Sequence, residues 1–327
     1  HYALNLELFL ENAHHSFMEV NPVLIKEYKK STTLRRTKTD SVDCESIARW
    51  LITVEYKPHS KGFYHAYSLK SLTRLRDRLI RQRSFYLVKI TNVLDHTFPE
   101  FKPFFNERLS KTALYLLENY GSAEKMARMN SASYDKLRCI SRGKFSIQQF
   151  LRLKELAANT VGVNNSIFDL ELNTLLTLYK SLSDEINTLE TEIIKLIEEV
   201  HPHYMSIPGI GPISSAVIYA EYGDISNFSN PGQMLAFAGI EPGINDSGTE
   251  SHGGRMVKHG SSQLRYVLLN ACLPLIRFDL TFATYYEKKR AEGKKHRVAI
   301  THVAKKLIRV IYALERQDVD FNAQKLR

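Results

Sequence analysis

Two serines in a glycine-bearing stretch, followed by a run of basic residues, form the part of this chain best suited to covalent chemistry. The segment reads Asp246-Ser247-Gly-Thr-Glu-Ser251-His-Gly-Gly-Arg255-Met-Val-Lys258-His259-Gly-Ser-Ser262-Gln-Leu-Arg265. A serine that attacks a phosphodiester needs a reachable hydroxyl, a group to take its proton, and positive charge around the pentavalent phosphorus. A glycine-rich loop supplies the reach, while Arg255, Lys258, His259 and Arg265 supply the charge. Ser262 is placed to N-cap a following helix. On residue types alone, ordinary turn serines account for Ser247 and Ser251 better than a nucleophile does.

Two other constellations can handle phosphate. Ser206-Ile-Pro-Gly209-Ile-Gly211-Pro-Ile-Ser-Ser-Ala-Val-Ile218 reads as a helix, a glycine hairpin and a second helix. Gly209 and Gly211 permit a tight turn and close backbone approach, and the free amides opening the second helix can take a phosphate without reading sequence. A plain helical turn with a glycine cap is the competing reading. Asp40 and Asp43 stand three apart at the start of a helix, within Lys38-Thr-Asp40-Ser-Val-Asp43-Cys-Glu45-Ser-Ile-Ala48. On one helical face their carboxylates can share a divalent cation. With equal weight, Asp40 is an N-cap and Asp43 its capping-box companion. Tyr2, His14, His15 and Trp50 are better explained by core or surface roles.

The elements that must position these residues are mostly helical. Leu4–Glu11 has a helical apolar pattern, His15–Val20 alternates briefly like a short strand ending at Asn21-Pro22, and Thr39–Val54 reads as a helix. A basic stretch runs from Lys26 to Lys38. Tyr67–Phe98 is helical, with Leu72, Leu79, Tyr86, Ile90 and Val93 on one stripe and a largely basic opposite face, and it ends at Pro99 and Pro103. Residues 104–165 form shorter polar helices. Phe168, Leu172, Leu175, Tyr179, Leu182, Ile186, Leu189, Ile193, Leu196 and Val200 then recur by fours and threes, the heptad stripe of a coiled coil. Its partner is either the Tyr67–Phe98 helix or another protomer, and a long helix on a bundle core remains the alternative. Beyond Val200 the composition changes: most of the fifteen glycines fall there, and helices are expected over Ser262–Ile276 and His296–Leu314.

With 327 residues the chain can bury a sizeable core in two or three domains. Lys and Arg outnumber Asp and Glu by 45 to 35, which favours a polyanionic partner, nucleic acid first and an anionic membrane surface second. No apolar run reaches the length of about eighteen residues expected of a transmembrane helix. The three cysteines, Cys44, Cys139 and Cys272, are scattered, which argues against a disulfide framework or zinc site and fits a reducing compartment.

Taken together, the motifs resemble the bacterial insertion-sequence transposases that join an N-terminal RuvC-like DEDD domain to a C-terminal serine domain and are guided by a structured bridge RNA. The resemblance rests on Lys38-Thr-Asp40-Ser-Val-Asp43 with Ile47-Ala48, on Pro208-Gly-Ile-Gly211, and on Phe237-Ala-Gly-Ile-Glu-Pro242. It rests also on Ser247-Gly-Thr with Lys258-x-Gly-Ser-x-x-Leu-Arg265. It covers nearly the whole chain. It implies a mainly α protein with a partial α/β, RuvC/RNase H-like N-terminal domain, long coiled-coil helices, and a helical C-terminal domain containing a helix-hairpin-helix. The implied domains are 1–66, 67–200 and 201–327.

The resemblance also assigns roles. Asp40 and Asp43 match the last two acidic residues of the DEDD set, which bind Mg2+. Ser247 matches the nucleophilic serine, Ser251 being the alternative, with Arg255, Lys258 and Arg265 near the phosphate. Gly209 and Gly211, and Arg74, Arg78 and Arg81 of the basic helix, would contact nucleic acid. The implied partners are double-stranded DNA, a structured guide RNA and further copies of the chain, with no membrane, in the bacterial cytoplasm at the nucleoid. The family's working unit is an oligomer in which one protomer's serine completes another's acidic site. The family's first two acidic residues precede the position of His1, so residues 1–327 alone are expected to be inactive or weakly active in strand transfer. Full recombination by that polypeptide alone would refute this. A non-catalytic nucleic-acid-binding scaffold and a metal nuclease using Asp40 and Asp43 without the serine are the alternatives.

Overall fold

The computed structural model describes residues 3–18, 20, 22–32, 39–56, 63–106, 109–247, 250–256 and 258–326. For residues 3, 63–65, 226, 242–247, 250–255 and 325–326 it describes the backbone course alone. The chain divides into two compact units, His1–Tyr64 and His65–Arg327.

The first unit contains three helices, α1 (Ala3–Asn12), α2 (Pro22–Thr32) and α3 (Asp40–Thr53). Helix α3 starts where Thr39 turns extended and its side chain accepts a hydrogen bond from the Val42 amide, 3.4 Å away. Thr39 is therefore the N-cap, and Asp40 and Asp43 lie inside the first turn, where the helix dipole favours their charge. This displaces the reading of Asp40 as the cap. The strand expected over His15–Val20 is absent among its described residues, which follow an irregular path. Alternation suffices for a strand only if a neighbour offers backbone partners, and the described residues of this unit contain no other strand. Its described part is thus helical, where a partial α/β domain was expected. No residue of α2 or α3 is buried.

The second unit is built on two 35-residue helices, α4 (Phe63–Thr97) and α10 (Ser166–Val200), each about 50 Å long at 1.5 Å per residue. They run antiparallel. Leu69 and Leu72 near the start of α4 pack with Ile193, Leu196 and Ile197 near the end of α10, and Arg76 pairs with Glu190. At the other end Ile90, Val93 and Leu94 pack with Leu172 and Leu176, and the His96 ring stacks on Phe168 at 5.9 Å. The heptad helix therefore finds its partner within its own chain. Between the two, α5 (Phe101–Phe104), α6 (Lys111–Tyr120), α7 (Ala123–Ala127), α8 (Ser131–Ile140) and α9 (Ile147–Ala158) close over a core that includes Phe98, Phe101, Leu117, Met126 and Leu153. Side-chain caps start four of them: Ser110, Ser122, Asn130, and Ser146 in a full capping box with Gln149.

Helix α10 ends at His201, which adopts left-handed backbone (φ 44°) and is followed by Pro202. A single 3-10 turn, His203–Ser206, leads to α11 (Pro212–Tyr222), α12 (Pro231–Ala238), a two-stranded hairpin β1 (Pro242–Ser247) and β2 (Glu250–Met256), and then α13 (Ser262–Phe278), α14 (Leu280–Ala291) and α15 (His296–Gln317). Helix α15 supplies the centre of this core, burying Ala299, Ile300, Val303, Ala304, Leu307, Ile308 and Ile311 against Leu264, Leu268, Leu275 and Phe282. Asp279 joins α13 to α14: it ends one helix and N-caps the next, accepting from the Phe282 amide at 3.0 Å. No single helix among the described residues is long and apolar enough to cross a membrane. Helices α13 and α14 reach that length only as a pair bent by 106°, and α13 buries its apolar face in this core. Cys272 is fully buried there, and burial pushes its thiol up to about 12, so it stays protonated and inert.

Candidate functional site

The serine segment, expected as a loop, is an antiparallel hairpin. Asn245 pairs with His252, Asp246 with Ser251 and Ser247 with Glu250, with an irregularity between Pro242 and Ile244. Ser247 is the last residue of β1 and Ser251 lies across from Asp246, so both candidate nucleophiles sit at the tip. The side chains of Ser247, Ser251 and Arg255 are outside the described atoms. At about 3.4 Å per residue, five residues of strand separate the Ser247 backbone from the hairpin's foot by roughly 17 Å.

Both feet are clamped to the end of α12. That helix starts on Asn230, whose side chain accepts from the Gln233 amide at 3.1 Å, and ends where Gly239 turns left-handed (φ 65°). Ile240 is then fully buried and anchors the first foot. At the second foot, Gly260 lies flat against the α12 terminus: a Cβ there would overlap the Phe237 carbonyl oxygen and crowd the Gly239 nitrogen. The Ser261 amide donates to the Phe237 carbonyl at 3.1 Å, and Arg265 donates to the Ala238 carbonyl at 3.2 Å. A guanidinium on the last carbonyls of a helix is favoured by the dipole. Ser261, one residue earlier than expected, is the N-cap of α13, accepting from the Leu264 amide at 3.2 Å. The Lys258-x-Gly-Ser-x-x-Leu-Arg265 motif is thus the hairpin's socket. Lys258 and His259 are exposed beside it and Arg265 is half-buried within it, so this protomer gathers its charge at the foot and its serines at the tip.

The socket is tied to α4 through one buried carboxylate. Glu221 on α11 is 3% exposed. It accepts from Arg74 Nε at 2.9 Å and Nη2 at 3.1 Å, and Lys70 lies 3.7 Å away. Burial pushes its carboxyl up, but the Arg74 hydrogen bonds, the Lys70 and Arg74 charges and a Ser261 hydrogen bond outweigh that and hold it below the ordinary carboxylate range. Arg74, expected to face nucleic acid, is occupied by Glu221. Arg81 pairs with Asp77 one turn away at 2.9 Å. Arg78 is exposed, with no ion pair among the described residues.

The glycine hairpin before α11 is preceded by the single 3-10 turn, where a full helix was expected. Gly209 has φ 95°, and a Cβ there would stand 2.7 Å from Pro274 Cγ and 3.2 Å from the Ala271 carbonyl, so this glycine lets the turn rest on α13. Gly211 is exposed, faces open space and caps α11 without a side-chain partner, with Pro212 at the first helical position. The tight turn and the open helix start were both readable; the close approach that Gly209 makes is to this chain's own helix.

Asp40 is exposed, and Asp43 forms an ion pair with Lys29 at 2.5 Å. Among the described residues no group of three or more His, Cys, Asp or Glu side chains could hold a metal. Carboxylate oxygens suit Mg2+, but two carboxylates, one already neutralised by an ammonium, fall short of the near-octahedral set that ion requires.

Comparison with known proteins gives this arrangement a context. A model described as the Transposase IS116/IS110/IS902 family matches residues 202–287, and a DEDD transposase model matches residues 1–99. The chain is 27% identical over 245 residues to an uncharacterized 43.6 kDa protein of insertion element IS110 from Streptomyces coelicolor, covering 72% of this chain and 60% of that protein. It is 28% identical over 298 residues to an uncharacterized 42 kDa protein of insertion element IS900 from Mycobacterium paratuberculosis, covering 85% and 71%. It is 25% identical over 260 residues to the transposase for insertion sequence element IS1111A of Coxiella burnetii, covering 79% and 59%. The matches to the Streptomyces and Coxiella proteins therefore span about three fifths of those relatives' length. These findings point to a class, the insertion-sequence transposases. Within that class the chain is similar to the IS110/IS900 family at both ends: residues 1–99 match a DEDD transposase model, and residues 202–287, which hold the hairpin and its socket, match the IS116/IS110/IS902 transposase model. A DEDD domain implies the use of a divalent metal in general terms.

Proposed function

We propose that this protein cuts and rejoins DNA through the Ser247 hydroxyl. The observation that carries the reading is the hairpin: it holds Ser247 at the tip of an arm whose feet are locked by Gly260, Ser261 and Arg265. A rigid socket and a projecting tip let a nucleophile reach into a bound duplex while the domain core stays fixed. In the step itself, the serine oxygen forms a bond to phosphorus and loses its proton. The bond from phosphorus to one DNA oxygen breaks, and that oxygen takes up a proton. A phosphodiester is exchanged for a phosphodiester, so the reverse step can join a new strand without an external energy source. Positive side chains stabilise the extra charge on phosphorus.

Asp40 and Asp43 belong to this reading as two carboxylates of a magnesium site whose other ligands are not among the described residues. The serine of one protomer would serve the acidic site of another, so the working unit is an oligomer, guided to its target by a structured RNA in the bacterial cytoplasm at the nucleoid. Lys258, Arg78 and the exposed start of α11 at Gly211 are open to backbone phosphate, and the resemblance adds Arg255 to them.

The test is covalent trapping. Wild-type protein that includes the acidic residues the family resemblance places ahead of His1, incubated with DNA of the element's ends and denatured, should carry an attached strand, Ser251→Ala in that protein should do the same, and Ser247→Ala should not. Adduct formation by Ser247→Ala removes that residue from the role. Binding with no adduct in any form, with or without magnesium, would instead mark a non-catalytic scaffold. Hydrolysed ends without adduct would mark a metal nuclease.

A further inference from the structure

Most of the chain's excess positive charge lies in one place that the motifs above do not touch. Residues 288–309 contain nine lysines and arginines against one acid, Glu292, a net of +8 out of the chain's +10. They occupy the last turn of α14 (Lys288, Lys289, Arg290), the connecting turn (Lys294, Lys295) and the outer side of α15 from Arg297 to Arg309. Every residue from 291 to 298 is exposed. The inner side of α15 fills the core, so it can neither roll nor withdraw its charges.

These cations crowd one another. Lys289 with Glu292, at 2.9 Å, is the one ion pair in the segment among the described residues. Burial, followed by the charges of Lys305, Lys289 and Lys294, holds the His302 ring below its ordinary range. Residues from both helices and the turn thus project their field onto one spot. The same stripe continues along α15 through Lys305 and Arg309, about 10 Å from His302 to Arg309 at 1.5 Å per residue. Lys305 feels the charge of Glu241, the residue just before β1. Helix α15 also packs against α12, and Ile240 at the hairpin's first foot shares one core with Val303 and Leu307, so the track runs toward the root of the serine hairpin.

We propose that this track, from the α14–α15 turn to the foot of the hairpin, binds the phosphate backbone of duplex DNA irrespective of sequence. Apart from Lys289, paired with Glu292, and Lys306, which lies over the Phe282 and Tyr285 rings, these are like charges fixed on a rigid face, and such charges lower stability unless a polyanion neutralises them. An extended row of cations fits the regular phosphates of a duplex. A membrane surface would call for large apolar side chains beside the cations, and across the exposed 291–298 stretch Val298 is the only one. Choosing DNA over RNA rests on the reading of Ser247, because the track leads to that hairpin; the binding itself does not depend on Ser247 chemistry.

The experiment uses the full chain carrying Ser247→Ala, so that no adduct can form, with fluorescence anisotropy on several unrelated DNA duplexes across a salt series. Lys294→Gln/Lys295→Gln/Arg297→Gln should weaken binding to every duplex by about tenfold or more. It should also flatten the plot of log affinity against log salt by up to about 2.7, three contacts at roughly 0.9 each. A control with equal charge removed from the α5–α9 region, Lys111→Gln/Lys136→Gln/Lys144→Gln, should keep the parent slope, and melting curves should show both variants folded. An unchanged slope in the track variant overturns the proposal. So does an equal loss in both variants, or a loss confined to RNA duplexes or to anionic phosphatidylserine vesicles. If trapping fails in the wild type while the track variant behaves as expected, the serine reading falls and this one stands.

Discussion

Replacing Arg74 by alanine separates an architectural arginine from a phosphate-binding one. Glu221 has a side chain only 1% accessible, and Arg74 meets both its oxygens at 2.9 and 3.1 Å. Breaking a fully buried pair typically costs about 3–5 kcal/mol, because the remaining charge is stranded. Here Arg74 is itself half exposed and Lys70 stays 3.7 Å from the carboxylate, which reduces the loss to about 2 kcal/mol. In a unit of this size that lowers Tm by roughly 4–8 °C. Adding Glu221→Gln should recover part of the loss, since the two changes act on one contact and are not additive. The pH dependence has a definite sign. The folded Glu221 carboxyl lies below its unfolded value, so its stabilisation is complete above the unfolded value and disappears as pH falls through the folded one. Without Arg74 that loss begins at higher pH. Thermal melts of Arg74→Ala, Glu221→Gln and the double variant from neutral to acid pH measure all of this, with Arg78→Ala as a control that should melt like wild type. An Arg74→Ala protein that melts like wild type but loses DNA affinity would refute the reasoning and return Arg74 to the nucleic-acid surface.

Other consequences are more local. Gly260→Ala places a methyl group into the α12 backbone, so the foot must shift; about 1–3 kcal/mol of stability should be lost, and adduct formation should fall further than DNA affinity does. Equal losses of both would detach the socket from the chemistry. His203 is hydrogen-bonded to Asp320 at 3.0 Å and Asp318 at 2.9 Å, and these partners raise its pKa. A raised folded value means that its stabilisation is present in full below the unfolded value and is lost as pH rises through the folded one. Melts of wild type should therefore lose stability across that window, while His203→Asn should show no such step; a step retained in the variant would assign it to another group.

How far the sequence reaches depends on how local each signal is. The stripe from Phe168 to Val200 predicts α10 because helical periodicity is written in consecutive turns, but it leaves the partner open between α4 and another protomer, and only the packing of Leu69 and Leu72 against Ile193 and Ile197 decides for α4. Thr39 and Ser261 show the limits of cap reading. In each case an adjacent polar residue, Asp40 or Ser262, competes for the cap, and only the backbone path decides between them. His15–Val20 shows a different limit: its alternation was real, but a strand is a relation between two segments. The hairpin was missed for the converse reason. Residues 242–256 have few β-branched or aromatic side chains, so their pairing has little local signal beyond the two-residue gap with a glycine between Ser247 and Glu250. Arg74 looked like one of a row of surface cations, because nothing in α4 reveals a carboxylate 147 residues away. The basic segment 288–309 carries no motif, and only its charge count sets it apart in the sequence.

The account stands on the Ser247 oxygen becoming bonded to DNA phosphorus. Mass spectrometry of the trapped complex, digested with protease and nuclease, reads this directly. The expected result is a nucleotide remnant on Ser247 and on no other residue. A remnant on Ser251, on a tyrosine, or on no peptide at all would contradict it.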